Sequence, residues 1–152
     1  MRGILGMKTK DILAEKGTQV TIVEETLLLV DVVSLFVTQR IGSVVVVNRN
    51  NEVIGIVAPN DVIKAIHHHP EYLKTITVSE VMTRDIIIAT PEDNIDQLMT
   101  IMTKSRVRHL PVIDKGELVG LVSIGDMVKA KNKVHDVEIR HLADYIEGRY
   151  PG

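Results

Sequence analysis

Gly120-Leu121-Val122-Ser123-Ile124-Gly125-Asp126 reads as a short apolar strand that runs into a tight turn and ends on an acid at the mouth of a helix. Gly55-Ile56-Val57-Ala58-Pro59-Asn60-Asp61 repeats it, with glycine, apolar strand and acid at matching places. Asp61 and Asp126 stand 65 residues apart, so one unit is written twice in a chain of 152 residues. The space between the two copies is the expected seat of function.

Working outward, each copy is preceded by another strand. These are Arg40-Ile41-Gly42-Ser43-Val44-Val45-Val46-Val47-Asn48 and Arg106-Val107-Arg108-His109-Leu110-Pro111-Val112-Ile113-Asp114, followed by turns at 49–52 and 115–117. Further upstream, Leu29, Val32, Val33 and Phe36 fall on one helical face, and Ile95, Leu98, Met99 and Met102 repeat the spacing. The second of these helices is expected to begin with Thr90 as N-cap, Pro91 at the first helical position and acids in the first turn, while the first has the acids Glu24-Glu25 there and a weaker cap. Both helices end at an arginine. β-Branched strands at 20–23 and 86–89 precede them, and polar-capped helical turns at 9–13 and 78–82 open the two units. Each unit is thus predicted as strand, helix, strand, strand, helix, in an α/β (α+β) fold whose apolar strands bury both faces.

Two stretches fall outside the repeat. His67-His68-His69-Pro70-Glu71 ends the first terminal helix and links the halves. Adjacent histidines on a helix point apart, so this triplet reads as an exposed linker and not as a metal site. After Lys133 a further helix is expected, with Ile139, Leu142, Tyr145 and Ile146 as its stripe and Gly148 as its stop. Such a stripe needs cover, from the chain's own core or from a second subunit, and the subunit is favoured. The expected organisation is 7–69 for the first unit, 76–131 for the second and 133–149 for the tail helix.

Composition excludes more than it proposes. Hydrophobic residues make up 45% and charged residues 25%, an ordinary globular mixture. A net charge of −2 with one Phe and no Trp speaks against nucleic acid or an anionic membrane as partner. No cysteine means no disulfide framework and no thiolate nucleophile, and no apolar run approaches the roughly 20 residues of a membrane span. Met1–Gly6 is too short for a signal peptide, and Met7 offers a second start. The expected location is cytoplasmic.

The duplicated unit resembles the CBS domain, which occurs in tandem pairs. The likeness rests on Arg106–Asp114, on Gly120–Asp126 and on their echoes from Arg40 and Gly55, and it covers roughly residues 7–131, over four-fifths of the chain. It is nearest to small stand-alone pairs with a short tail helix. The resemblance implies two pseudo-symmetric βαββα units packed through their sheets, with clefts between them that bind adenosine nucleotides or related adenosyl ligands. It also implies dimerisation and a sensor role, with no cofactor required.

Under that resemblance, residues divide by the parts of a nucleotide. Asp126 suits the ribose hydroxyls, Ser123 can donate to phosphate, and Arg108 and His109 reach the phosphate. Thr18, Gln19 and Val20 lie near the base, with Ile41 and Gly42 allowing close backbone approach and Leu121 lining the slot. The other cleft, with Ile56, Asp61 and Ile86, is expected to be weaker. It has Ala58 for Ser123, Ser43 for His109, and Asn60 where related proteins commonly place an arginine. AMP, ADP or ATP is the expected ligand, with NAD and S-adenosylmethionine as alternatives, and the downstream target protein is unknown. The bland reading of Asp61 and Asp126 is a helix N-cap, and that of Arg108 and His109 a solvent-facing polar pair at a strand edge. A ligand-free oligomerisation scaffold is the first rival function. An enzyme is the second, disfavoured by the lack of a P-loop, a nucleophile elbow or metal-ligand spacing.

Overall fold

The computed structural model describes residues 6–146, without the side chains of 134–138, 141 and 144–146. In chain order it runs α1 (Thr9–Lys16), β1 (Ile22–Glu24), α2 (Leu29–Gln39), β2 (Val44–Val47), β3 (Val53–Val57), α3 (Pro59–His68), α4 (Val78–Val81), α5 (Ile95–Ser105), β4 (His109–Asp114), β5 (Glu117–Ser123) and α6 (Ile124–Ile146). The chain divides into two compact units, unit 1 made of Met1–Thr18 with Ala89–Gly152 and unit 2 of Gln19–Ile88. The compact units are therefore not sequential blocks. Each repeat's opening helix lies in the unit built by the other repeat.

Unit 2 is built on a three-stranded sheet, β1-β2-β3. β1 and β2 are parallel, which a short turn cannot arrange, and α2 is the crossover between them. β3 returns antiparallel, with a register shift at Val46/Val47. All four β2 valines are buried, as the continuous apolar run predicts. Leu29 and Val32 carry the α2 face into the core, beside Val44, Val46, Val57, Ala65 and Val78. Val33, expected on that face, is instead 37% exposed. Phe36 packs against the core as expected, and the half-buried Leu35 takes the place of Val33, because the buried stripe is rotated towards it.

Unit 1 has the hairpin β4–β5, joined by Lys115 (φ 52) and Gly116 (φ 79). Left-handed geometry at both positions is the two-residue turn whose twist matches a hairpin. The strand expected at 86–89 does not form. Only Ala89 pairs, its amide bonded to the Pro111 carbonyl and its carbonyl to the Ile113 amide, both at 2.9 Å. Arg40 and Arg106 end α2 and α5, as expected, and the structure puts both in the left-handed region (φ 53 and 56).

Thr90 is not the N-cap of α5. Asn94 is, and its side chain accepts from the amides of Asp96 and Gln97. Thr90–Asp93 is spent on a turn of its own, closed by the Thr90 amide on the Asp93 carboxylate at 2.7 Å. The carbonyls of that turn receive α1: Thr9 donates to Asp93 at 2.9 Å and Lys10 to Pro91 at 3.0 Å. Unit 2 repeats the arrangement, with Val78 donating to Leu27 at 2.9 Å and Ser79 to Glu25 at 3.1 Å.

Glycine completes the docking. A Cβ on Gly120 would stand 2.6 Å from Leu13 Cδ2, and one on Gly55 would stand 2.5 Å from Met82 Sδ. The repeated glycine is thus the floor on which the exchanged helix rests.

No restart occurs at Lys133, for α6 runs unbroken from Ile124 to Ile146. Ile139 and Leu142 are 65% and 61% exposed, so the chain's own core does not cover them. The expected Gly148 stop and the side chains of Tyr145 and Ile146 lie outside the described residues. Among those residues, no helix is long and apolar enough to cross a membrane.

Candidate functional site

The stretch Gly120–Asp126 closes β5 and opens α6, and Asp126 is the third helical residue. It is therefore not the N-cap itself but the acid of a capping box. The Ser123 amide donates to Asp126 Oδ2 at 2.8 Å, and the Asp126 amide donates to Ser123 Oγ at 3.1 Å. This reciprocal pair satisfies two amides that a helix start otherwise leaves open. It also fixes the carboxylate at the mouth of the helix.

A residue that the sequence reading missed completes the arrangement. Lys16 Nζ donates to Asp126 Oδ2 at 2.7 Å and to the Leu121 carbonyl at 2.9 Å. Burial pushes the Asp126 carboxyl up, but the bonds from Lys16 and Ser123 outweigh it and hold the group below the usual carboxylate value. Nothing marked Lys16 in advance, since a lysine in a last helical turn is ordinary. Its only trace is that the matching position of the second repeat is Asp85.

His109 opens β4 and sits opposite Ser123 in the hairpin register. Burial, and then the charges of Arg108 and Lys16, push its imidazole below the ordinary value, with Asp126 pulling weakly the other way. Arg108 is exposed, and its carbonyl accepts the Ile124 amide at 2.9 Å. Leu121 is half-buried. Arg108, His109, Leu121, Ser123 and Asp126 are therefore gathered at one strand end of unit 1. Beside them runs an open groove of about 730 Å³ whose lining includes Arg108, Gly125, Val128, Lys129 and Lys133. Thr18 is exposed in unit 1, whereas Gln19, Val20, Ile41 and Gly42 belong to unit 2, with Val20 and Ile41 half-buried.

Unit 2 holds the counterpart around Asp61. The Ala58 amide donates to Asp61 Oδ2 at 2.8 Å, but Ala58 has no hydroxyl to return the bond. Thr83 Oγ1 donates to Asp61 Oδ1 at 3.0 Å, so the partner here is a neutral hydroxyl. Thr83 also pairs its backbone with Ile56, which is only 6% exposed. Ile86 is half-buried. Ser43, in the place of His109, is buried, and its Oγ has no hydrogen-bond partner among the described residues.

Chemically, the unit 1 turn offers a fixed carboxylate for hydroxyl donors and a cationic border for an anion. Both Asp126 bonds fall on Oδ2. Among the described residues, no group of three or more acids and histidines is placed to hold a metal ion.

Comparison with known proteins agrees with this duplication. The family model described as CBS domain matches residues 10–68 and 78–133. The chain is similar to the mitochondrial CBS domain-containing protein CBSX3 of Arabidopsis thaliana, with 34% identity over 79% of this chain and 60% of that one. The chain thus spans less than two thirds of that relative's length. Among solved structures, the CBS-domain containing protein ATU1752 from Agrobacterium tumefaciens is similar at TM-score 0.79 and 35% identity, covering 84% of this chain and 95% of that one. Two more distant structures share the fold. The CBS domain pair of MJ0100, in complex with 5-methylthioadenosine and S-adenosylmethionine, aligns at TM-score 0.72 and 23% identity, over 84% of this chain and 97% of that one. CBSX2 in complex with AMP aligns at 0.71 and 20%, over 86% and 99%.

Proposed function

The chain belongs to the CBS-domain family as a tandem pair, and from that premise we propose that it is a non-catalytic sensor whose unit 1 binds an adenosyl ligand at the Asp126 turn. The observation that carries this reading is the capping box itself. Ser123 holds the Asp126 carboxylate in place, both of its bonds use Oδ2, and Arg108 and His109 stand at the same strand end. Asp126 accepts the ribose hydroxyls, while Arg108, His109 and Ser123 meet the phosphate side. The adenosyl ligands bound by MJ0100 and CBSX2 support the same class of ligand here.

The Asp61 turn is the weaker site. Ala58 supplies no hydroxyl, Ser43 no imidazole, and Asp61 has a protein donor on each oxygen. Catalysis is disfavoured because both aspartates are engaged in capping helices and the sequence holds no P-loop, nucleophile elbow or metal-ligand spacing. The ligand state is read by a partner protein, and the chain self-associates through the exposed apolar stripe of α6.

Thermal melts with AMP, ATP, NAD and S-adenosylmethionine test the function. A ligand that binds only the native state raises the melting temperature. At least one adenosyl compound is expected to do so, and Asp126→Asn is expected to abolish the rise. No shift with any compound contradicts the sensor and leaves the ligand-free scaffold.

A further inference from the structure

The two capping acids differ in what touches them. Asp126 bonds to an ammonium, Lys16 Nζ at 2.7 Å, whereas Asp61 bonds to a hydroxyl, Thr83 Oγ1 at 3.0 Å. Lys16 is a placed cation and not a roaming one. Its Nζ is also held by the Leu121 carbonyl at 2.9 Å, and its side chain is 35% exposed. It leaves the last turn of α1, whose Leu13 rests against Gly120.

Resting on the adenosyl-site reading above, we propose that Lys16 is the charge-selecting residue of that site. Through it, the Asp126 turn accepts adenosyl ligands with an anionic 5′ group and discriminates against neutral ones. Without ligand, Lys16 and Asp126 neutralise each other. Ribose hydroxyls that donate to the carboxylate compete with Lys16 for Oδ2 and draw on the same negative charge. The ammonium then keeps the Leu121 carbonyl but loses part of its counter-ion. Nearby groups do not make up the loss. Arg108 and Lys16 both act electrostatically on His109, so like charges already share this strand end. Along the groove, Lys129 adds positive charge, and the acid there, Glu15, is already neutralised by Lys133 at 2.6 Å. A phosphate on the ligand restores the balance; a neutral 5′ group leaves the ammonium under-compensated. Unit 2 carries no such penalty, because Thr83 brings no charge.

Titration calorimetry with AMP and adenosine, which share base and ribose, tests this on the full chain. The proteins are the wild type, Lys16→Gln and Lys16→Arg, each checked by thermal melt. Wild type is expected to prefer AMP by about tenfold or more at low salt, with the preference shrinking as salt rises. Lys16→Gln is expected to shrink the preference to about threefold or less, with adenosine gaining as the penalty disappears and AMP losing its counter-ion. Lys16→Arg is expected to keep the preference. Equal losses for both compounds, or no change in either, overturn the charge-selecting role and leave Lys16 structural. A wild type that binds neither compound overturns the charge preference, and refutes the adenosyl site as well if ATP, NAD and S-adenosylmethionine also leave the melt unmoved, whereas binding of both without a Lys16 effect refutes this role alone.

Discussion

Asp126 and His109 give the site its dependence on pH. The folded carboxyl of Asp126 titrates below its ordinary 3.8. Its contribution to stability is therefore complete above that value and is lost as pH falls through the lowered one. Lys16→Gln removes the hydrogen bond that lowers it most. Acid unfolding of that variant, followed by circular dichroism, is expected to begin at higher pH than in the wild type. Superimposed profiles would contradict the pairing. His109 is likewise depressed below 6.5, first by burial and then by Arg108 and Lys16. Stability is full above 6.5 and sags as pH falls through the folded value, because the unfolded chain takes up the proton first. His109→Gln is expected to flatten urea midpoints between roughly pH 7 and 5. A slope equal to that of the wild type would count against it.

The secondary elements show how a duplicated sequence becomes exchanged packing. Leu13 on Gly120 and Met82 on Gly55 are the same contact made twice, each between an opening helix and the other repeat's strand. Gly120→Ala forces Leu13 aside and is expected to cost about 1–3 kcal/mol. Leu13→Ala empties the contact, at about 2–4 kcal/mol. The double variant is expected to lose clearly less than the sum, since the added methyl then fills the vacated space. Gly55→Ala is expected to cost more than Gly120→Ala, because the Thr83 carbonyl, a backbone atom, also stands 3.0 Å from the new Cβ. Urea unfolding measures all four, and strict additivity of the Leu13 and Gly120 changes would refute the docking.

Most of these elements were legible in the sequence, because strand and helix periods are local. What was not legible depended on partners far along the chain. Ile86–Ile88 have the composition of a strand, yet the ladder engages only Ala89. Thr90-Pro91 has the form of a helix start, yet it is spent on a turn that receives α1. The Asp126 turn could be read from its residue types. Lys16 could not, because a lysine and an aspartate 110 residues apart leave no pattern in the chain.

For the whole molecule, two consequences follow. Ile139 and Leu142 remain uncovered on the last turns of α6, one helical step apart, and a second copy of the chain is the expected cover. Sedimentation equilibrium is expected to show a dimer that Ile139→Lys with Leu142→Lys converts to monomer. A monomeric wild type would contradict this. The other consequence is asymmetry. The duplication supplied two acids at two helix mouths, but the Asp61 turn has Ala58 for Ser123, Ser43 for His109 and a threonine hydroxyl where Asp126 has the Lys16 ammonium, so the proposed phosphorylated ligand is assigned to unit 1. Calorimetry of AMP on the wild type, Asp126→Ala and Asp61→Ala tests that claim most directly. Binding is expected to vanish in Asp126→Ala and to persist within about threefold in Asp61→Ala. Equal losses in the two variants would contradict it.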